Sequence, residues 1–399
     1  PRFLFFGDGL KLFRQAPLLG HGGGTWRAMY GTVQTFFYGA THIHSDPFDI
    51  LLEVGIIGLA LYVIFWASAL WNAFRSNNPV NQGIAVVALA VFVHSLGEAL
   101  FSFPAVYFVC FALLGSVQNN DKPGRFTLPR FKTNYVYTGA GVVMLLCALV
   151  SASFWLAELD YLEYQRNSGA VDGVKALRRA ATLNPMNADY IADLGTVLST
   201  SRQTEDEGLR LLQRASNLEP YRAYFVGKLG IWYKQRGDHM KTLEYYEEAL
   251  RLQPMNIQQY EYVAFAASDA VLDWQIPYSE RDYYADQILK TLGRYNATVE
   301  QSDPQLLQKS GIPFVLSSSF NLAIGTALSH KGSYQEAEQY MRLALDGADP
   351  NVKIMSSLWL HRLRDLTSNV GAVPVSLSEL LETASHQAYW EKIVAATVR

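Results

Sequence analysis

Cysteine is scarce in this sequence. Its two cysteines, Cys110 and Cys147, both lie within apolar runs of a 399-residue chain. Two such residues make a disulfide framework or a zinc site improbable. We therefore expect both to be small buried hydrophobic side chains.

An excess of charge of either sign is also missing. The chain carries 33 Lys and Arg against 36 Asp and Glu, a net charge of −3. Nine of the basic and six of the acidic side chains fall within residues 1–157. Neither part of the chain is basic enough to favour a nucleic-acid partner. The length allows two or three structural units.

A signal peptide is not evident either, since the chain begins at Pro1 and no signal precedes its first polar segment. Because a loop outside the membrane needs a segment that exports it, we expect the chain to be the C-terminal part of a longer polytopic protein. Its earlier membrane spans would then precede Pro1.

Charged side chains are absent from long stretches. The runs 54–74 and 135–157 contain none, and at about 1.5 Å per residue each covers the roughly 30 Å core of a bilayer. The apolar region between them has room for two shorter passes. We predict four transmembrane helices, at about 54–74, 84–101, 103–117 and 135–157.

The charges of one short loop set the predicted topology. Residues 119–134 carry four basic side chains and one acidic side chain, and such an excess marks a cytoplasmic loop. Residues 1–53 and the region after Glu158 then both face outward. The sequence thus predicts a multi-pass membrane protein with these two regions outside the cytoplasm. Within the second apolar region, His94 and Glu98 are spaced i,i+4, so we expect them to share one helical face and to pair.

The region after Glu158 repeats with a helical period. Prolines at 185, 220 and 254 are 35 and 34 residues apart, which is the spacing of tetratricopeptide repeats. Small residues such as Gly230 allow two antiparallel helices to approach. We predict an α-solenoid of tetratricopeptide-like repeats over 158–399, interrupted by an irregular helical insertion at 257–320. The predicted fold class is therefore all-α.

The first 53 residues are rich in aromatic residues and glycine. Gly20-His21-Gly22-Gly23-Gly24 indicates a loop. Asp46 and Pro47 indicate a helix start, with Asp46 as N-cap and Pro47 at the first helical position. Polar residues that lead directly into a membrane span suggest an enzyme that handles a lipid-linked substrate.

Two short motifs in this loop resemble a known family. His44 is followed by Glu53 at +9 and Gly55 at +11, and Arg2 precedes the stretch Pro17-Leu18-Leu19-Gly20-His21-Gly22. Their order and spacing are similar to the C-terminal half of the O-antigen ligase and Wzy-type polymerase superfamily. Ser45 and Phe48 depart from that pattern, in which Asn and Leu are typical. The resemblance covers about residues 1–75.

The resemblance implies a metal-independent glycosyltransferase without a cofactor. Such an enzyme moves or polymerises a glycan from an undecaprenyl-pyrophosphate donor onto an acceptor hydroxyl of a glycan, lipid or protein outside the membrane. It implies catalytic roles for His44, Arg2 and Glu53. Substrate contacts are expected from His42, Arg14, Arg27, Gly20 and Gly22.

Elementary chemistry agrees with these roles. A guanidinium binds a diphosphate through a planar, permanently charged set of donors. Backbone amides in a glycine-rich turn can form an anion nest. An imidazole can take the proton of the attacking hydroxyl near neutral pH.

Two alternatives remain open from the sequence. The His42-x-His44 spacing permits a metal site completed by His21 or Asp46, but no third ligand is firmly placed, so we expect no metal. In the second alternative, the spans anchor a non-enzymatic repeat scaffold for an envelope assembly complex, with a protein partner on the repeat face.

Overall fold

A computed structural model describes most of the chain, namely residues 2–117, 133–167, 170–310, 313–367, 370–373 and 375–397. Secondary structure in these residues is entirely helical, which confirms the all-α prediction for them. The chain divides into two compact units, Pro1–Val33 with Gly39–Leu218, and Gln34–Tyr38 with Glu219–Arg399.

The first unit contains the glycine-rich loop, the apolar helices and the start of the repeats. Two short 3₁₀ turns, Tyr30–Thr32 and Leu100–Ser102, interrupt its loops. Its α-helices are α1 (Arg2–Phe13), α2 (Thr25–Met29), α3 (Asp46–Phe74), α4 (Pro79–Ser95), α5 (Pro104–Gly115), α6 (Thr133–Arg166), α7 (Val171–Leu183), α8 (Ala188–Leu198) and α9 (Glu205–Leu218).

Helix α3 differs from the prediction at its start. Ser45 occupies the N-cap position, with an extended backbone, and Asp46 is already helical. The predicted capping role of Asp46 is therefore wrong, because its side chain is buried and bonded elsewhere. At Gly55 the helix is broken by a backbone with φ 69° and ψ −169°, a conformation that glycine adopts without steric cost.

The second apolar region forms two helices, but they are shorter than the predicted spans. α4 ends at Ser95 and α5 begins at Pro104. Gly97 N donates to His94 O in the turn that follows α4. Glu98 therefore lies beyond the helix, so the prediction that His94 and Glu98 share one helical face is wrong.

Helix α6 continues well past the predicted end of its span at 157. Its last ten residues carry charged and aromatic side chains without a proline or glycine, so the helix has no reason to stop there. Ala157 is buried and packs with Ala180 and Tyr190 of the repeats. One helix thus serves as an apolar segment and as the first repeat helix. The preceding predicted loop 119–134 lies, up to residue 132, outside the described residues.

Two helices in the described part of the chain are long and apolar enough to cross a bilayer, Asp46–Phe74 and Gly141–Arg166. α4 and α5 are apolar but shorter. Only 22% of the most apolar stretch of α3 and 6% of that of α6 is buried. Cys110 is buried as expected, whereas Cys147 is exposed, as are the residues around it at 141–152 of α6.

The second unit consists of packed helical hairpins and shorter helices. Its elements are α10 (Ala223–Lys234), α11 (His239–Leu252), α12 (Ile257–Val271), α13 (Tyr278–Gln301), α14 (Pro304–Gln308), α15 (Ser318–His330), α16 (Tyr334–Leu345), α17 (Pro350–Leu366), α18 (Leu377–Leu380) and α19 (Ala384–Ala396).

Small residues bring the paired helices together, as the repeat spacing predicts. A Cβ atom on Gly230 of α10 would lie 2.5 Å from the ring of Tyr246 on α11. A Cβ atom on Gly325 of α15 would lie 2.7 Å from Met341 on α16. Gly237 turns the chain between α10 and α11 with φ 72°. These contacts support the tetratricopeptide-like arrangement.

The predicted irregular insertion at 257–320 is largely regular. Asn256 caps α12 by accepting from Gln258 N, and α12 packs along α13. Tyr260 of α12 bonds Thr298 of α13, with 2.9 Å between their hydroxyl oxygens. Residues 257–301 are therefore helical, as predicted, but they form two regular helices, and the apolar face of α12 is covered by α13 within the same core. That this segment is an insertion between repeats stays a prediction.

Candidate functional site

The two motif segments of the first unit are joined by backbone hydrogen bonds. His21 N donates to Leu52 O at 3.0 Å, and Gly22 N donates to Glu53 O at 2.9 Å. On the other side of the break in α3, Ile56 N donates to Pro17 O at 2.9 Å. The stretch Pro17–Gly22 is therefore aligned with residues 52–56.

The side chain of Glu53 completes this contact. Its Oε1 atom accepts from Gly24 N at 2.7 Å, so Glu53 binds the glycine loop through both its backbone and its carboxylate. Gly20 N donates to Ala16 O at 3.0 Å. The amides of Gly20 and Gly22 are thus used within the protein, and an anion nest at these two residues would require the loop to rearrange.

His44 is placed by a rare backbone conformation. Among the described residues, His44 is the non-glycine residue that has a positive φ, 59°. A side chain strains the backbone in this conformation, and such strain often accompanies functional sites. Its Nδ1 atom lies 3.5 Å from Glu98 Oε2, and both side chains are more than a third exposed. Its ring stacks against Phe5 of α1, with 6.4 Å between ring centroids.

His42 contacts the same neighbouring segment. Its Nε2 atom lies 3.1 Å from Ser102 Oγ. The loop that carries His42 and His44 is therefore held against the turn between α4 and α5. No sequence pattern points to Ser102, Phe5 or the approach of Glu98 to His44, because a contact between residues 54 positions apart leaves no local signal.

The predicted arginines are not gathered at His44. Arg27 of α2 forms an ion pair with Asp189 of α8, with 2.7 Å between Nη2 and Oδ2. Arg14 is exposed just after α1. Arg2 begins α1, and its side chain lies outside the described part of the structure. The roles predicted for these three residues stay predictions.

The alternative metal site is not assembled. His21 Nε2 lies 2.9 Å from the carbonyl oxygen of Leu12. Asp46 accepts hydrogen bonds from Phe101 N at 3.2 Å and from the Tyr107 hydroxyl at 2.5 Å. Within the described ranges, no group of three or more His, Cys, Asp or Glu is arranged to hold a metal ion.

The second unit has a groove of about 730 Å³ between α11 and α13. Two ion pairs cross or flank it, Arg294 with Glu247 and Arg251 with Glu248. Met240 and Tyr283 contribute exposed apolar surface. The groove is lined by Met240, Leu243, Glu244, Tyr245, Glu247, Glu248, Arg251, Tyr283, Gln287, Lys290 and Arg294. The lining combines apolar and charged side chains, so it offers contacts to both kinds of side chain.

Comparisons with known proteins give structural similarity at low identity. No protein-family model matches the chain, and no curated protein matches it. The solved structure of PilF from Pseudomonas aeruginosa is similar to part of this chain. The sequences are 17% identical, the TM-score is 0.40, and the similarity covers 61% of this chain and 98% of that chain.

Two further solved structures are similar at the same level. YrrB, described as a TPR protein with an unusual peptide-binding site, is 14% identical, with a TM-score of 0.35, over 56% of this chain and 96% of that one. Yeast Tom70 is 12% identical, with a TM-score of 0.36, over 95% of this chain and 76% of that one. The helix pairs described above, rather than these scores, support the tetratricopeptide-like fold.

Proposed function

We propose that this chain is a membrane-anchored tetratricopeptide-like scaffold that binds a protein partner. The observation that carries the anchor is the exposure of α6. Leu145, Leu146 and Leu149 are each more than half exposed, whereas the core helix of a soluble protein buries such side chains. A lipid environment removes this apolar surface from water.

The groove between α11 and α13 supports a protein partner. It combines exposed apolar side chains with charges of both signs on two facing helices. Helix pairs of this kind present extended surfaces for binding. A partner segment with apolar and charged residues would satisfy both parts of the lining.

Site-specific photo-crosslinking in intact cells tests the scaffold function. A crosslinking amino acid at Tyr283, within the groove, is expected to give a defined adduct. The same amino acid at exposed Arg364 of α17 is the control position. The groove substitution Arg294→Glu is expected to abolish the Tyr283 adduct. An adduct that persists in that variant, or forms equally at position 364, would contradict binding at the groove.

A second function is favoured by the loop that contains His44. We propose that this loop transfers or polymerises a glycan from an undecaprenyl-pyrophosphate donor to an acceptor hydroxyl. The supporting observation is a half-exposed imidazole beside Glu98, two residues before an apolar helix begins. If α3 enters the bilayer, the diphosphate of a lipid-linked donor would lie at the membrane surface near His44.

In this proposal the roles of His44 and Glu53 are based on their contacts, and those of the remaining residues are based on the family resemblance. Nδ1 of His44 faces Glu98, so the ring's other nitrogen, Nε2, would take the proton of the attacking hydroxyl. Glu53 would act in support by fixing the glycine loop through Gly24. Arg2 would bind the diphosphate, and His42, Arg14 and Arg27 would contact the substrates.

The proposed location is the bacterial cytoplasmic membrane, with the His44 loop and the repeats outside. The ion pair between Arg27 and Asp189 supports a common side for the loop and the first repeats, because an ion pair cannot join two faces of a bilayer. The positively charged loop 119–134 supports placing the opposite side in the cytoplasm.

Surface glycan measured for a His44→Ala variant of the full-length protein separates the two functions. Loss of glycan at normal protein level supports the transferase, with His94→Ala as the matched control because His94 is an exposed histidine on α4. Unchanged glycan in the His44→Ala variant would leave the scaffold as the function of the chain.

A further inference from the structure

Asp46 is a buried carboxylate at the base of the histidine loop. Its relative exposure is 0%, and a buried carboxylate is costly unless its oxygens are hydrogen-bonded. Here each oxygen has a donor, Phe101 N for Oδ1 and the Tyr107 hydroxyl for Oδ2. These bonds join the start of α3 to the turn before α5 and to α5 itself.

Three residues of this loop make polar contacts with residues 98–107. His42 meets Ser102, His44 meets Glu98, and Asp46 meets Phe101 and Tyr107. The two histidine contacts are exposed and therefore weak on their own. The bond from Tyr107 to Asp46 is buried and the bond from Phe101 N is part-buried, and a carboxylate acceptor strengthens both, so the Asp46 bonds are stronger than the two histidine contacts.

The backbone of His44 adds to the need for an anchor. A non-glycine residue at φ 59° is strained and persists only when the surrounding structure holds it. Ile43 on one side is fully buried, and Ser45 and Asp46 on the other side are also buried. The exposed His44 ring is thus carried by a loop whose neighbours are fixed.

We propose that Asp46 is a positioning residue that holds His42 and His44 against the turn at 98–102 through its bonds to Phe101 and Tyr107. This proposal rests on the glycan-transfer function of the His44 loop. Asp46 itself is enclosed by protein and does not reach substrate. It acts by fixing where the imidazole of His44 stands relative to Glu98.

Two variants remove the anchor to different degrees. Asp46→Asn removes the charge from both bonds: the amide oxygen can still accept from Phe101 N, but the amide nitrogen can only donate to the Tyr107 hydroxyl. Tyr107→Phe removes one donor and leaves the carboxylate in place, so it is the milder change. Matched controls are Tyr62→Phe, whose hydroxyl lies 3.4 Å from that of Tyr107, and Asp49→Asn, one turn further along α3.

Hydrogen exchange of the full chain in detergent, read by mass spectrometry, tests the anchor without any activity. Loss of a charge-assisted buried bond is expected to speed exchange in residues 41–46 roughly tenfold in Asp46→Asn, and less in Tyr107→Phe. The two control variants are expected to exchange as the wild type does. Unchanged exchange in Asp46→Asn would overturn the proposal, whatever the protein's activity.

Transfer kinetics of the full-length protein test the positioning. A displaced base lowers kcat while the substrate KM stays unchanged, so we expect roughly tenfold lower kcat in Asp46→Asn and a smaller loss in Tyr107→Phe. Faster exchange with unchanged kcat would overturn the positioning role. Failure of the transfer function itself is recognised separately, because His44→Ala would then also leave the surface glycan unchanged.

Discussion

Gly20 of the glycine loop and Gly55 at the break in α3 each pack against the chain segment that contains the other glycine. Both have positive φ, 68° and 69°. A Cβ atom on Gly20 would overlap the backbone of Glu53, and a Cβ atom on Gly55 would overlap the backbone of Leu18. Each glycine therefore makes room for the chain segment that contains the other, which explains how the two motif segments align.

Alanine at either glycine is expected to destabilise the first unit. Gly55→Ala combines a strained backbone, about 1–3 kcal/mol, with a backbone clash, so we expect a lower thermal unfolding temperature in detergent. Gly83→Ala on α4, where an added Cβ meets nothing within 4 Å, is the control and should be neutral or slightly stabilising. Equal melting of Gly55→Ala and wild type would contradict the described contact.

Glu53 is expected to keep the glycine loop closed. Glu53→Ala removes the acceptor for Gly24 N and should expose the loop, at a cost of about 1 kcal/mol for this partly exposed bond. Glu53→Gln retains an acceptor oxygen and should behave more like the wild type. Limited proteolysis around residues 20–25 measures the difference. Identical cleavage of both variants would show that the carboxylate bond does not close the loop.

A charge on the apolar part of α6 is expected to impair membrane association. Leu146 is 56% exposed and Leu159 is 45% exposed on the same helix. Leu146→Arg would place a charge in the hydrocarbon, at about 2.5–3.5 kcal/mol, whereas Leu159→Arg lies beyond the apolar stretch. Flotation of membranes with each variant compares them. Full membrane association of Leu146→Arg would argue against a span at this position.

The packing of α8 against α9 is expected to depend on Gly208. A Cβ atom there would lie 2.7 Å from Gly195 O on α8, so Gly208→Ala should force α8 and α9 apart at about 1–3 kcal/mol. Gly227→Ala on α10, where a Cβ meets nothing within 4 Å, is the matched control and should not destabilise. Urea unfolding followed by circular dichroism checks both variants. A stable Gly208→Ala variant would refute close packing of this pair.

The buried histidine of the second unit should make stability depend on pH. Burial lowers the pKa of His330, so the unfolded chain takes up this proton first as pH falls. The contribution of neutral His330 to stability is complete above about pH 6.5 and is lost progressively below it. When the pH is lowered from 7.5 to 5.5, we expect the melting temperature of the His330→Gln variant to fall less than that of the wild type. An equal loss in both would contradict this assignment.

The sequence predicted the elements whose signals are local. Proline steps of 34 and 35 residues indicated the helix pairs, and the uncharged run 54–74 indicated most of α3. The Ser45 N-cap was missed because Asp-Pro is itself a strong helix-start signal, while the buried partners of Asp46 lie 55 and 61 residues away. The pairing of His44 with Glu98 was missed for the same reason.

The continuity of α6 has a mechanical consequence. An unbroken helix leaves no hinge between the apolar stretch and the first repeat, so the two turn together as one rod. From Glu158 to the end of the helix at Arg166 the rise is about 12 Å. If α6 crosses the bilayer as proposed, α7 and α8 would therefore stand close to the lipid headgroups, where a lipid-bound partner would reach them without leaving the membrane surface.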